Sequence, residues 1–159
     1  MRKWRRGMED VIITIPGTTL SNIDLIYYAE QLSIPHFKGV FMSNQLPSNH
    51  QSTECGIMNL NKSNQAGSHW VAWLCLQNRH KYYFDSYGQD IPIELQRYLK
   101  TNKEFENNEA VVRRNAIVVQ HVNSSECGRL CLFVLCSLSD GVAYDVILTT
   151  LKRRYDGKK

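Results

Sequence analysis

The chain has 159 residues, a length that suits one domain with a substantial core. Apolar residues make up 43 % and charged residues 21 %, which excludes a disordered chain. No run of about 18 apolar residues is present, so no membrane span is expected.

The net charge of +4 is clustered. Arg2, Lys3, Arg5 and Arg6 lie at the start, and Lys152, Arg153, Arg154, Lys158 and Lys159 at the end. Such clusters serve either as solvated tails or as a hold on a polyanion. The stretch Met1–Gly7 has no apolar segment behind it, so no secretory signal is expected. Five cysteines show no CxxC pair and no zinc-ligand spacing. Their odd number and irregular spacing point to a reducing, intracellular setting and leave a thiol free for chemistry.

Taken in chain order, residues 1–18 read as a basic leader, with Val11-Ile-Ile-Thr-Ile15 extended and Pro16-Gly17 ending it. Residues 19–159 read as one domain. Ser21 and Asp24 have capping-box spacing and predict a helix to about Leu32, with Ile23, Ile26, Tyr27 and Leu32 facing the core. Ile34-Pro35 stops it. Phe37–Met42 predicts a short strand, Leu46–Thr53 a loop, and Cys55–Leu60 another strand. His69–Leu76 and Lys81–Asp85 predict a hairpin, rich as they are in aromatic and β-branched residues. A loop over 86–90 leads to a helix from Pro92 to about Leu99. Thr101–Glu109 is polar and predicts a surface loop. Asn115–Gln120 predicts a buried strand. Glu126–Leu138 is apolar nearly all round, as a central helix is, and a last helix covers Val142–Arg153. The fold class is α+β, with one long buried helix against a sheet.

Four residues suggest thiol chemistry. Cys127 starts the buried helix after a Ser/Asn-rich turn that can cap it, where the helix terminus favours a thiolate. Gly128 beside it leaves room for a substrate backbone. Cys131 and Cys136 lie deeper in the same helix and read as core, as do Cys55 and Cys75 in strand-like runs. His69 sits at a strand end next to a loop, whereas His36, His50, His80 and His121 lie in predicted loops or turns. Taken alone, a histidine of this kind is better explained as a surface or hydrogen-bonded residue. Asp85 ends the strand paired with that of His69. It either orients the imidazole or merely starts the turn with Ser86 and Gly88. Gln120, seven residues before Cys127, adds an amide for an oxyanion hole.

Together, Gly67-Ser-His69-Trp70, Phe84-Asp-Ser-Tyr-Gly88 and Gln120 through Asn123-Ser-Ser-Glu-Cys127-Gly128 resemble the adenovirus protease (adenain) family in residues and in order. The likeness runs from roughly residue 20 to 138 and is nearest to compact relatives in Polinton- and adintovirus-type elements. It implies a mixed central sheet packed on the helix that carries the nucleophile, an adenain-like or SUMO-protease-like fold. It implies a cysteine endopeptidase that matures virion precursor proteins in a host nucleus or virion, cutting next to glycine. His69 would take the Cys127 proton, Asp85 hold His69, and Gln120 support the oxyanion. No cofactor is implied for the chemistry; DNA or an activating peptide could act as an activator. Two departures stand out. Asp85 occupies the place of adenain's Glu, as in SUMO-deconjugating relatives. No cysteine lies between Cys75 and Cys127, so adenain's disulfide-linked activating peptide is not carried over. The alternatives are an isopeptidase acting on ubiquitin-like modifiers, an acyltransferase of the same fold, and a nucleic-acid-binding protein with a decayed site.

Overall fold

The computed structural model of the chain describes residues 8–64, 69–77, 79–101 and 112–157. The basic residues Arg2, Lys3, Arg5, Arg6, Lys158 and Lys159, the motif residues Gly67 and Ser68, and the loop expected over 102–109 lie outside the described residues.

The elements follow the order α1 (Met8–Thr14), α2 (Asn22–Gln31), β1 (Phe37–Met42), β2 (Glu54–Asn59), β3 (Trp70–Leu76), β4 (His80–Phe84), α3 (Ile93–Tyr98), β5 (Val112–Arg114), α4 (Cys127–Ser139) and α5 (Tyr144–Gly157). The five strands form one sheet in sequential order. β2–β3 and β3–β4 are antiparallel, and the two outer pairs, β1–β2 and β4–β5, are parallel. Every residue of β2 is buried, and all of β3 except Leu76. Such continuous burial marks strands covered on both faces. On one face Ile57, Ala72, Leu74 and Phe84 meet Leu132, Phe133 and Leu135 of α4, with α1, α2 and α5 completing the layer. On the other, Met58, Val71, Trp73 and Tyr83 meet Leu95, Tyr98 and Leu99 at α3. There the buried Glu54 carboxylate accepts from Trp73 Nε1 (2.8 Å), the Tyr98 hydroxyl (2.6 Å) and the Gln51 N–H (2.7 Å). Among the described residues no helix is long and apolar enough to cross a membrane.

Three expectations need correction. Val11–Ile15 is not extended. Val11 and Ile12 lie in α1 and Ile15 just beyond it, and all three are buried in the main core. The β-branched run favours a strand locally, but packing against α4 overrides that propensity. Arg129 Nη1 then donates to the carbonyls of Ile12 (3.3 Å) and Ile15 (3.1 Å), which the helix end would leave unpaired. The second concerns α2. Its capping box forms as expected, Ser21 N–H to Asp24 Oδ2 (2.9 Å) and Asp24 N–H to Ser21 Oγ (3.1 Å). Its core face, however, is Leu25, Tyr28, Ala29 and Leu32, while Ile23 (73 % accessible), Ile26 and Tyr27 face outward. Both sets fit helical spacing, and the four-membered stripe with a small Ala29 lets α2 cover more of the core.

The third is the strand expected over Asn115–Gln120. Only Val112–Arg114 pairs with the sheet, opposite Lys81–Tyr83. At Asn115 the side chain takes over the ladder: its Oδ1 accepts from Asp85 N–H (3.0 Å) and its Nδ2 donates to Asp85 C=O (2.5 Å). The main chain is thereby freed from the sheet and leaves it. It passes so close to Gly88 (φ +68°) that a Cβ there would lie 2.7 Å from the Ala116 carbonyl oxygen.

Candidate active site

His69, just ahead of β3, and Asp85, just after β4, end up side by side because the antiparallel register (Ala72 opposite Phe84) brings those strand ends together. His69 Nε2 lies 2.7 Å from Asp85 Oδ1, with both residues buried. The same oxygen accepts the Tyr87 backbone N–H at 2.8 Å, an Asx turn closed further by Gly88 N–H to Asp85 C=O (2.8 Å). The expected turn and the expected carboxylate–imidazole contact therefore coexist at Asp85.

α4 crosses β3 so that its first residue meets the His69 end of the strand. Cys127 faces the imidazole, near enough that His69 and the backbone N–H groups of Trp70 and Gly128 favour its thiolate. With Nε2 committed to Asp85, Nδ1 is the nitrogen left for the sulfur. One turn on, the Cys131 thiol donates to the Trp70 carbonyl at 3.4 Å, and the Trp70 indole N–H donates to Leu20 C=O at 3.0 Å. The helix, the strand and the segment before α2 are thus tied at the nucleophile.

Electrostatics separates Cys127 from the other thiols. Burial pushes its thiol up, but the His69 hydrogen bond, the Trp70 N–H, the imidazole charge and the Gly128 N–H outweigh that and bring it below the ordinary value. Burial pushes Cys55 and Cys75 up to about 12 and raises Cys131 strongly, as expected of core thiols. Of the five cysteines only Cys127 is not buried. Burial lowers the His69 imidazole, yet donation from the ring to Asp85 and Cys127, together with the charges of those two groups, raises it to about 9. A depressed thiol beside a raised imidazole favours the thiolate–imidazolium pair at neutral pH.

Gln120 lies in the same site, though not at the end of a strand. Its Oε1 accepts from Ser86 Oγ (2.5 Å) and its Nε2 donates to Ser124 C=O (2.8 Å). That leaves one amide hydrogen on a residue that lines the same cleft as Cys127, whose own N–H has no intrahelical partner by position. Cys127, His69 and Gln120 line one cleft of about 560 Å³, whose walls include Leu20, Met42, Asn59, Trp70 and Tyr87. Two local expectations are revised. Gly128 serves packing rather than substrate: a Cβ there would come within 3.2 Å of Leu25 and 3.3 Å of Leu20. The Ser/Asn-rich turn gives α4 no side-chain cap; Glu126 at that position is drawn aside, bonded to Arg129, to Arg154 Nη2 (2.5 Å) and to Ser124 Oγ (3.2 Å).

No family model and no curated protein matches the sequence. Solved structures do share its fold. The crystal structure of ASFV pS273R protease superposes with a TM-score of 0.55 at 17 % identity, over 89 % of this chain and 67 % of that one. Its Se-Met form gives 0.57 at 18 % identity, over 89 % and 68 %.

This chain has the fold of that protease. The α+β class expected from the sequence, a mixed sheet against a buried helix of adenain-like and SUMO-protease-like type, is the one observed.

Several residues of the site carried no role in the sequence. Ser86 holds Gln120, Asn115 holds the Asp85 backbone, and Tyr87 stacks on His69 with ring centroids 4.7 Å apart. Ser86 and Tyr87 stood inside the quoted Phe84–Gly88 motif. Asn115 had one available signal, a polar residue ahead of an apolar run. The Glu126/Arg129 spacing of three on a helix was likewise readable as an ion pair.

Proposed function

We propose that this chain is a cysteine endopeptidase in which Cys127 is the nucleophile, His69 its acid and base, Asp85 the group that orients His69, and Gln120 part of the oxyanion hole. The observation that carries the reading is the depressed Cys127 thiol on one nitrogen of His69 with Asp85 on the other, inside an open cleft. The fold shared with a protease supports it.

In this reading the Cys127 thiolate attacks the scissile carbonyl carbon, and the oxygen takes up negative charge facing the Cys127 N–H and the free Gln120 amide hydrogen. The tetrahedral adduct collapses as the His69 imidazolium gives its proton to the leaving amine, and an acyl-thioester remains. His69, now neutral, takes a proton from water, whose oxygen attacks the thioester. Collapse releases the acid and restores the thiolate–imidazolium pair. Asp85 holds one imidazole tautomer and favours the charged ring throughout.

The motif resemblance extends the proposal to virion precursor proteins as substrates. The test is digestion of a proteome-derived peptide library, read by mass spectrometry of new N-termini. The wild type should produce a consistent set of cleavages, and Cys127→Ser should abolish every one while melting at the same temperature. Cleavage that survives in Cys127→Ser and disappears in Cys131→Ser would assign the wrong thiol. Release of a modifier from an isopeptide conjugate, or acetyl-CoA-dependent labelling of Cys127 without peptide cleavage, would replace the endopeptidase reading with the isopeptidase or the acyltransferase.

A further inference from the structure

An oxyanion hole needs donors that stay in place while charge moves onto the substrate oxygen. A glutamine does not meet that need unaided, because its amide hangs on a flexible stem and presents oxygen as readily as N–H. In this chain both ends of the Gln120 amide are tied, and the residue is 2 % accessible. Nε2 donates to the Ser124 backbone carbonyl at 2.8 Å, and Oε1 accepts from the Ser86 hydroxyl at 2.5 Å. A backbone carbonyl only accepts, so it decides which end of the amide is nitrogen. The Ser86 hydroxyl then holds the oxygen. With the oxygen and one N–H both fixed, the planar amide cannot rotate, and its second N–H keeps one direction. Ser86 is itself wholly buried and sits directly after Asp85. Its backbone is laced to the Gln120 segment as well, since the Val119 N–H donates to Ser86 C=O at 2.8 Å. Two neighbouring residues therefore reach both halves of the centre, Asp85 toward His69 and Ser86 toward Gln120.

We propose that Ser86 is a positioning residue of this centre, whose hydroxyl fixes the Gln120 amide so that one N–H is set for the oxygen of the tetrahedral adduct. The proposal rests on the reading above that Cys127 is the nucleophile and Gln120 an oxyanion donor. The groups that lower the Cys127 thiol are His69 and the backbone N–H groups of Trp70 and Gly128. Ser86 therefore acts on acyl transfer and not on formation of the thiolate. Loss of the hydroxyl leaves Oε1 buried without its donor and the amide free to turn. The bond from Val119 goes to the Ser86 backbone, so Ser86→Ala keeps the turn that carries Asp85.

The experiment compares two reactions of the same thiolate. With iodoacetamide the Cys127 sulfur displaces iodide, and no oxyanion forms. With p-nitrophenyl acetate the sulfur attacks the carbonyl carbon and the oxygen takes up negative charge. The adduct then collapses, p-nitrophenolate leaves and an acetyl-thioester remains. The first is read by mass spectrometry of the Cys127 peptide across pH, the second by the burst of p-nitrophenolate absorbance. The variants are Ser86→Ala and Ser86→Cys, the latter keeping the shape with a weak donor, each checked by its melting temperature. Both should alkylate as the wild type does and acylate roughly 5- to 50-fold more slowly, less than the loss of an oxyanion donor itself costs. Gln120→Ala should lose at least as much, and the double variant Ser86→Ala with Gln120→Ala no more than Gln120→Ala alone. Wild-type acylation in the folded Ser86 variants overturns the proposal. An equal fall in both reactions overturns it too, as does a double variant whose losses add. Gln120→Ala separates the two levels: if it acylates as the wild type does, the oxyanion role of Gln120 is wrong and this proposal falls with it. If Gln120→Ala slows acylation while Ser86→Ala does not, only the role of Ser86 is lost. An undiminished burst in Cys127→Ser would mean that the nucleophile is misassigned.

Discussion

Glu126→Gln tests how the nucleophile's helix is anchored. Glu126 lies between two guanidiniums, Arg129 one turn along α4 and Arg154 on α5, with side-chain accessibilities of 7 %, 13 % and 13 %. Arg129 continues to the Ile12 and Ile15 carbonyls, so this cluster joins α1, α4 and α5 one residue before Cys127. The substitution keeps the shape, removes one negative charge and leaves two nearby cations with no anion between them. Breaking a fully buried pair costs about 3–5 kcal/mol. Water reaches these guanidinium groups in part, so about 2–3 kcal/mol is the expected loss here. For a domain of this size that corresponds to a fall in Tm of roughly 4–12 °C. Urea unfolding should give the same loss from a lower midpoint at unchanged slope. Because the groups that lower the Cys127 thiol are His69 and the backbone N–H groups of Trp70 and Gly128, the folded variant should still alkylate Cys127 at close to the wild-type rate. A loss below about 0.5 kcal/mol would place the cluster among ordinary surface pairs and refute the anchoring role.

Other consequences can be measured separately. Asp85→Asn should lower kcat by roughly two to four powers of ten, as expected when a triad base loses its orienting carboxylate; steady-state assays on any cleaved peptide read this. Hydrolysis should fall as pH rises through about 9, because His69 then loses the proton it must give to the leaving amine. The same ring sets a stability trend. Its folded value is raised above 6.5, so its stabilisation is complete below pH 6.5 and is lost as pH climbs through about 9. A wild-type minus His69→Ala difference in unfolding free energy that grows with pH would contradict this. Gly56→Ala should destabilise by about 1–3 kcal/mol, because a Cβ there would lie 2.4 Å from the buried Trp73 ring, itself tied to Glu54; chemical denaturation checks it.

The elements legible in the sequence are those where local pattern and tertiary demand agree. The aromatic, β-branched hairpin 70–84 and the uniformly apolar α4 admit one solution each, and they carry His69, Asp85 and Cys127 to where they meet. Misreadings arose where two solutions were locally equal. Val11–Ile15 suits a strand or a buried helix face, and only α4, more than a hundred residues away, decides. In α2 the stripes 23/26/27 and 25/28/29/32 both follow helical spacing, and the core chooses the latter. The apolar run after Asn115 looks like a strand, but a single side chain replaces the ladder at Asp85. The supports of the site were hidden for a related reason: Ser86, Tyr87 and Asn115 act through long-range hydrogen bonds and stacking that leave no periodic signature.

The most direct measurement is the ultraviolet thiolate absorbance of the folded protein followed against pH, with Cys127→Ala as the blank. A Cys127 thiolate should already be present at neutral pH, below the ordinary thiol pKa of about 8.5, and His69→Ala should move that step up into the ordinary range. A Cys127 step that begins only at ordinary thiol pH, unmoved by His69→Ala, would mean that the imidazole and the sulfur do not act together.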